Sequence, residues 1–303
     1  MITMLPIRPL VASAMVATST GLLAVPVQAT AQSAVQQAVP PVLTGIRAAH
    51  HPGLDRLVFE FRGRVPAKRD VRYVSRLVAD GSGKTVSVAG SALLRVRFGQ
   101  ADGHDRRGRV TYGPVRRTYA LPGVIQVVNA GDFEATLTFG VGLARRAPFR
   151  VHTLSRPSRV VVDIATPYRT VPVRTYFLNS RNHATGRTPF TTPVWRPVIP
   201  PATARGALQR LFAGPTQAEK AQGLRFVASK ATGFSKVTVK KGIARVYLTG
   251  RIGSGGSTFT IADQIRPTLK QFPGVRWVKI YDAAGRTQQP YGPSDSIPDS
   301  LEP

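Results

Sequence analysis

Between residues 57 and 164 the chain alternates apolar and polar side chains in short runs. Examples are LVFEFR at 57–62, LLRVRF at 93–98, EATLTF at 134–139 and RVVVDI at 159–164. A period of two places every second side chain on one face of a strand, and Gly, Pro and Asp residues separate the runs. Because no long run of this region has helical spacing, the pattern predicts an all-β sandwich.

After residue 171 the pattern changes to a mixture of strands and helices. Strands are predicted at 171–178, 236–240, 243–248 and 275–281, with a hairpin turn at 241–242 and a Pro- and Arg-rich loop up to residue 201. Apolar residues at helical spacing predict one helix before Gly214-Pro215 and a second one that contains Pro267, which we expect to bend it. The order strand, helix, strand, strand, helix, strand indicates a small α+β two-layer domain, β-α-β-β-α-β, with its helices on one face of the sheet.

The apolar positions of the two helices are Ala204, Ala207, Leu208, Leu211 and Phe212 in the first, and Ile261, Ile265, Leu269 and Phe272 in the second.

The two ends of the chain differ from its middle in composition. Residues 1–31 have a short basic start, an apolar stretch and small residues before Ala29 and Ala31, which indicates a secretory signal peptide cleaved after one of them. An uncleaved anchor is the alternative. Residues 32–43 are a predicted linker, 44–166 the sandwich and 171–286 the α+β domain. The Pro-, Ser- and acid-containing segment 287–303 is predicted to be a disordered tail.

The charge balance restricts the partners. The 42 Lys and Arg residues face only 15 Asp and Glu residues, so the formal net charge is +27. Such a field attracts polyanions, namely nucleic acid, anionic lipid or the anionic polymers of a cell wall. An exported chain favours the wall polymers. Because the chain has no cysteine, it has no disulfide, no thiolate metal site and no residue for lipoprotein acylation.

The stretch VADGSGKT at 78–85 resembles the end of a nucleotide-binding P-loop. The glycine that opens the full motif is replaced by Val78, and the residues after Lys84 alternate like a strand, whereas a P-loop leads into a helix. Asp80 to Gly83 has the composition of a tight turn. The stretch is therefore predicted to be the turn of a hairpin within the sandwich.

A cluster of arginines offers the densest positive charge in the chain. Guanidinium groups bind phosphates and carboxylates through paired hydrogen bonds. A solvated loop in an arginine-rich protein is the alternative interpretation. The predicted polyanion-binding residues, which Tyr112 and Tyr119 flank, are Arg106, Arg107, Arg109, Arg116 and Arg117.

No catalytic, cofactor or metal site is predicted. His50 and His51 are adjacent, so in a strand they point to opposite faces, and a plain turn before Pro52 is favoured. Asp132 and Glu134 share a strand face at i, i+2, but a solvated strand end fits them better than a glycosidase pair. Asp163 is expected to pair with an arginine such as Arg159. The protein is therefore predicted not to be an enzyme.

Two blocks of the first domain carry a family resemblance. HPGLDRLVFEF at 51–61, and PFRV at 148–151 with LSRPSRVVVDI at 154–164, resemble the AMIN-like domain of actinobacterial exported proteins. VPVRTYF at 171–177, ALQRLFAGP at 207–215 and TLKQFPGV at 268–275 resemble the GerMN domain, the sporulation and spore germination module. The resemblances imply a β-sandwich and an α+β envelope module, neither with a catalytic motif. Many proteins of this two-domain type are lipoproteins, which the missing cysteine excludes here.

These observations predict an exported, non-enzymatic protein of the cell envelope, outside the cell or on its wall. Its expected partners are peptidoglycan or anionic glycopolymers and envelope proteins, with self-association through the GerMN-like domain. It would support localisation or assembly, with a link to sporulation or germination. The alternatives are a wall glycan hydrolase of unrecognised type and a nucleic-acid binder, although nucleic acid is not the expected partner.

Overall fold

The structure, a computed structural model, describes residues 39–303. The predicted signal peptide and most of the predicted linker lie outside the described residues. Across residues 39–303 we find no helix that is both long enough and apolar enough to cross a membrane.

The first domain is built of strands from residue 42 to residue 165. Their bounds are β1 Val42–His51, β2 Leu54–Arg62, β3 Lys68–Val74, β4 Leu77–Val78, β5 Thr85–Val86, β6 Ala92–Gly99, β7 Arg116–Thr118, β8 Val124–Phe133, β9 Thr136–Leu143, β10 Phe149–Ser155 and β11 Ser158–Ala165.

Two antiparallel sheets enclose the core of this domain, as the alternating pattern predicts. One sheet has the order β1-β2-β11-β10 and the other β3-β6-β9-β8-β7. The inward residues of both sheets meet in one apolar cluster. Within it the rings of Phe59 and Phe98 make an edge-to-face contact, with their centroids 5.1 Å apart. Burying each such ring contributes roughly 1.5–3 kcal/mol.

The hairpin β4–β5 and the segment after it lie on the outer face of the second sheet. The hairpin is confirmed: β4 pairs with β5, and Gly81 and Gly83 have positive φ in the turn between them. Glycines of β9 make room for this layer. A Cβ on Gly140 would lie 2.4 Å from a methyl of Leu77, and one on Gly142 would lie 2.0 Å from the carbonyl oxygen of Ala89.

The second domain runs from residue 171 to the end of the chain. Its elements are β12 Val171–Asn179, α1 Ser180–Ala184, β13 Thr191–Val198, α2 Thr203–Ala213, α3 Gln217–Ala221, β14 Leu224–Arg225, β15 Ala231–Lys240, β16 Ile243–Gly250, α4 Ala262–Lys270, β17 Trp277–Tyr281 and a 3₁₀ turn at Asp299–Leu301.

Two predictions for this domain are corrected. The expected loop up to residue 201 contains α1 and the strand β13, which pairs with β12 although it includes Pro193 and Pro197. In place of one small sheet there are two three-stranded sheets, β13-β12-β14 and β15-β16-β17. The prolines made β13 hard to predict, because proline is depleted from strands. It is tolerated mainly at sheet edges, where its missing N–H group removes no hydrogen bond between strands.

Side chains of α4 occupy the second edge of β12. The Thr268 hydroxyl accepts a hydrogen bond from the N–H of Tyr176 at 3.2 Å, and Gln271 Oε1 accepts one from the N–H of Arg174 at 2.7 Å. The helix α4 runs through Pro267 without ending there. These contacts satisfy backbone groups that β14 is too short to reach.

The predicted disordered tail is wrong. Ile297 and Leu301 are buried in the core of the second domain, and Ser296 bridges to Lys279 of β17 in parallel register. The ammonium of Lys279, a fully buried side chain, donates to the carbonyl oxygens of Gln289 and Tyr291. Two apolar anchors, together with polar contacts to Lys279, therefore order this segment.

Helix α2 joins the two domains. Its apolar face packs in the second domain, while Gln209 and Arg210, on its polar side, are 6% and 2% exposed. Gln209 donates to the Ser91 hydroxyl at 2.5 Å. The carbonyl oxygen of Ala213, at the end of the helix, accepts hydrogen bonds from Thr118 and Gln126 of the sandwich at 2.5 and 2.9 Å. The polar side of α2 is thus part of the interface between the two domains.

Candidate polyanion-binding site

The loop Asp105 to Arg109, called here the arginine loop, is a turn organised by one carboxylate. Asp105 Oδ1 accepts hydrogen bonds from the N–H groups of Arg107 and Arg109 at 2.9 and 3.0 Å, and Gly108 has φ +73°. Asp105 Oδ2 accepts from Arg109 Nε at 2.8 Å. Arg109 is therefore neutralised locally, whereas the exposed side chains of Arg106 and Arg107 make no ion pair in the part of the chain that the structure describes.

An open cavity of about 710 Å³ lies beside the arginine loop. Arg62, at the end of β2, adds a fourth guanidinium to its lining, and Val39 and Pro40 form an apolar wall. Asp102 and Asp105 also line it, so four arginines face two carboxylates. The surface is net positive, and its arginines come from two elements far apart in the sequence.

His104 fixes the base of the arginine loop to strand β8. Its Nδ1 lies 2.8 Å from Asp132 Oδ2, and the other oxygen of Asp132 accepts from the N–H of Gly103 at 3.3 Å. The hydrogen bond to Asp132, opposed by partial burial and helped by the charges of Asp132, Asp102 and Asp105, raises the pKa of His104. A protonated His104 adds positive charge at the base of the loop.

The other two predicted arginines lie elsewhere. Arg116 Nη1 donates to the Ser87 carbonyl oxygen at 3.0 Å and to Gln126 Oε1 at 2.8 Å, and burial lowers the pKa of Arg116. Arg117 donates to the carbonyl oxygen of Tyr112, which is a buried core residue. The five-residue cluster therefore divides: Arg106, Arg107 and Arg109 share one cavity, while Arg116 faces the second domain.

The remaining candidate groups have structural partners. Asp163 forms a bidentate ion pair with Arg56 at 2.7 and 2.8 Å, and the hydrogen bond from Arg56 lowers the pKa of Asp163. Arg159, the expected partner of Asp163, instead lies 3.6 Å from Glu60. Glu134 lies in the turn after β8, with φ +48°, and so does not share a strand face with Asp132.

His50 and His51 close β1 rather than forming a turn, and His50 Nδ1 lies 2.7 Å from the buried Asp55. Over residues 39–303, no group of three or more His, Cys, Asp and Glu side chains is arranged to hold a metal ion.

Comparison with known proteins gives two family matches, and neither spans half of the chain. Residues 41–166 match the AMIN-like domain, and residues 174–288 match the family described as sporulation and spore germination. The expected resemblances are confirmed. A search of curated protein sequences finds no match.

Among solved structures, the chain is similar to the tandem GerMN domains of the sporulation protein GerM from Bacillus subtilis, with 19% identity and a TM-score of 0.29. The alignment covers 46% of this chain and 50% of that one, so the chain spans about half the length of the structure that it matches.

Proposed function

We propose that this chain, which joins an AMIN-like segment to a sporulation and spore germination segment, is a non-enzymatic protein of the cell envelope that binds anionic wall polymers. Neither matched family is an enzyme family, and both names belong to envelope or sporulation contexts. Binding to the wall would serve localisation or assembly of envelope partners, in connection with sporulation or germination. Export by the N-terminal segment is part of the same proposal.

The observation that carries the proposal is the arginine loop. Asp105 holds the backbone of the loop, so Arg106 and Arg107 are presented to solvent without an acidic partner among residues 39–303. A polymer of phosphodiester or carboxylate groups can occupy the adjoining cavity and form charge-assisted hydrogen bonds with these guanidinium groups. The overall charge of +27 increases the rate at which the protein encounters a polyanion, but it does not determine which part of the protein surface binds it.

The test is co-sedimentation of the protein with purified cell walls over a salt series. Substitution of Arg106 and Arg107 by Gln is expected to lower the affinity about tenfold or more, which corresponds to roughly 1.4 kcal/mol, and to weaken its salt dependence. The matched control is Arg251→Gln with Arg276→Gln, two exposed arginines of the second domain that remove the same charge. Equal losses in both double variants would show that only net charge matters and would contradict the proposed site.

Two further results would redirect the proposal. Release of soluble glycan fragments from the walls would indicate a hydrolase. An affinity for duplex DNA well above that for walls, at the same ionic strength, would indicate a nucleic-acid binder.

A further inference from the structure

A cavity of about 200 Å³ lies between the two domains, beside the first half of α2. Strand β6 and its approach contribute Ser91, the end of the sandwich contributes Arg145, and α2 contributes Arg205, Gly206, Gln209 and Arg210. None of the described residues in its lining carries a carboxylate, whereas three of them carry a guanidinium. Even in so basic a chain, three cations around one small, partly open cavity repel one another.

Arg210 is the buried member of this group. Its side chain is 2% exposed, and its Nη groups donate to the carbonyl oxygens of Tyr119, Leu121 and Pro122 at 3.3, 2.7 and 3.1 Å. The same side chain lines the cavity. Burial, followed by the charge of Arg196, lowers the pKa of Arg210 to about 9, so the group is still charged at neutral pH.

The counter-charge of Arg210 is incomplete. Asp55 acts on it electrostatically but makes no ion pair with it, because the Asp55 carboxylate is held by the N–H groups of Gly123 and Val124 at 2.6 and 2.8 Å and by His50. A buried cation without a bonded counter-ion is costly unless another negative group approaches it.

The two exposed arginines are held beside the cavity by aromatic rings. The guanidinium carbon of Arg145 lies 5.6 Å from the ring centroid of Tyr168, and that of Arg205 lies 5.5 Å from the ring centroid of Phe234. Cation–π contacts restrict these long side chains while leaving their N–H donors available. Arg145 and Arg205 come from different domains, so an anion between them would bridge the domains.

The first turn of α2 adds to the positive potential. The helix has no side-chain N-cap and no acidic residue in its first turn, and Arg205 occupies that turn. The N–H group of Arg205, a residue that lines the cavity, has no acceptor among the described residues. The positive end of the helix dipole and the arginine beside it both favour an anion here.

We propose that this interdomain cavity binds a phosphate group, held by Arg145 and by the side chain and N–H group of Arg205 at the start of α2, with buried Arg210 as its electrostatic support. The site is separate from the arginine loop, and it goes beyond the proposed wall binding because it selects one compact group rather than a polymer surface. Its phosphate could come from free inorganic phosphate or from a phosphodiester of a wall polymer.

The test is calorimetric titration of the protein with inorganic phosphate at constant ionic strength, with chloride as the balancing anion. Saturable binding of one phosphate per chain is expected, together with a rise in Tm. Arg205→Gln and Arg145→Gln, both at exposed side chains, are each expected to weaken binding at least tenfold. Arg107→Gln, which alters the arginine loop and not the cavity, should leave the phosphate affinity unchanged.

Three outcomes overturn the proposal: no saturable binding, an unchanged affinity in Arg205→Gln, or an equal loss in Arg107→Gln. Circular dichroism of each variant confirms that its fold is intact. Competition with a glycerol phosphate oligomer then assigns the source: displacement of phosphate indicates a polymer phosphodiester, and no displacement indicates free phosphate. Loss of wall binding in the Arg106 and Arg107 variant, with phosphate binding retained, separates the two sites.

Discussion

Single carboxylates organise the basic surface of this protein. Asp105 shapes the arginine loop, and Asp132 holds the base of the loop through His104. Two of the few acidic residues of the chain therefore serve to position basic side chains. Asp163, in contrast, neutralises Arg56 through a bidentate ion pair on the other sheet. The positive charges of the surface are therefore positioned locally by these carboxylates.

We predict that His104 stabilises the protein at acidic pH. Because the folded state raises the pKa of His104, its contribution is fully present below the unfolded pKa of about 6.5 and is lost as the pH rises through the higher folded value. His104→Gln should therefore cost stability at pH 5.5 and little at pH 8.5, as measured by urea unfolding. His183→Gln, at a histidine with no carboxylate partner in residues 39–303, is the control. Equal costs at both pH values would contradict the prediction.

Strands and helices differ in how far the sequence predicts them. The runs at 57–62, 93–98 and 159–164 lie within β2, β6 and β11. They were predictable because a regular alternation of apolar and polar residues places all apolar side chains on one face of a strand, which is then buried. The order of the sheets, the strand β13 and the interface on α2 were not predictable. Each depends on a partner distant in the sequence: a second strand for Pro193 and Pro197, and a sandwich for Gln209 and Arg210.

The candidate site was predictable only in part, for the same reason. Local density identified Arg106, Arg107 and Arg109, which do line one cavity. It also included Arg116 and Arg117, which strand β7 directs to other partners, and it omitted Arg62, which folding brings to the same cavity.

The layer formed by β4, β5 and the following segment depends on the glycines of β9. Gly142→Ala is expected to destabilise the protein by about 1–3 kcal/mol, since backbone of Ala89 lies only 2.0 Å from the new Cβ and has to shift. Gly45→Ala is the control, because its Cβ would lie 4.0 Å from the nearest atom and its φ is not positive. Denaturant unfolding of both variants measures the difference, and equal stabilities would refute the close contact.

At the scale of the whole molecule, the contacts of α2 with the sandwich are expected to couple the unfolding of the two domains. Arg210→Leu would leave three carbonyl oxygens of the sandwich without their donor, each at a cost of roughly 1–3 kcal/mol. We expect the unsubstituted protein to unfold in a single transition and Arg210→Leu to unfold in two. Both tryptophans, Trp195 and Trp277, lie in the second domain, so their fluorescence follows that domain while calorimetry follows the whole chain.

The control for this experiment is Arg187→Gln, at an exposed residue of the second domain. If Arg210→Leu still gave coincident fluorescence and calorimetric transitions, the domains would be coupled by other contacts.

The composition of β13 limits how copies of this protein could assemble. Pro193 and Pro197 remove two N–H donors from this edge strand, and Thr268 and Gln271 of α4 already occupy the far edge of β12. Continuous growth of this sheet from one molecule to the next is therefore disfavoured from both sides. Any assembly of copies through this sheet would have to be joined through side chains, such as the exposed Trp195, and not through strand pairing.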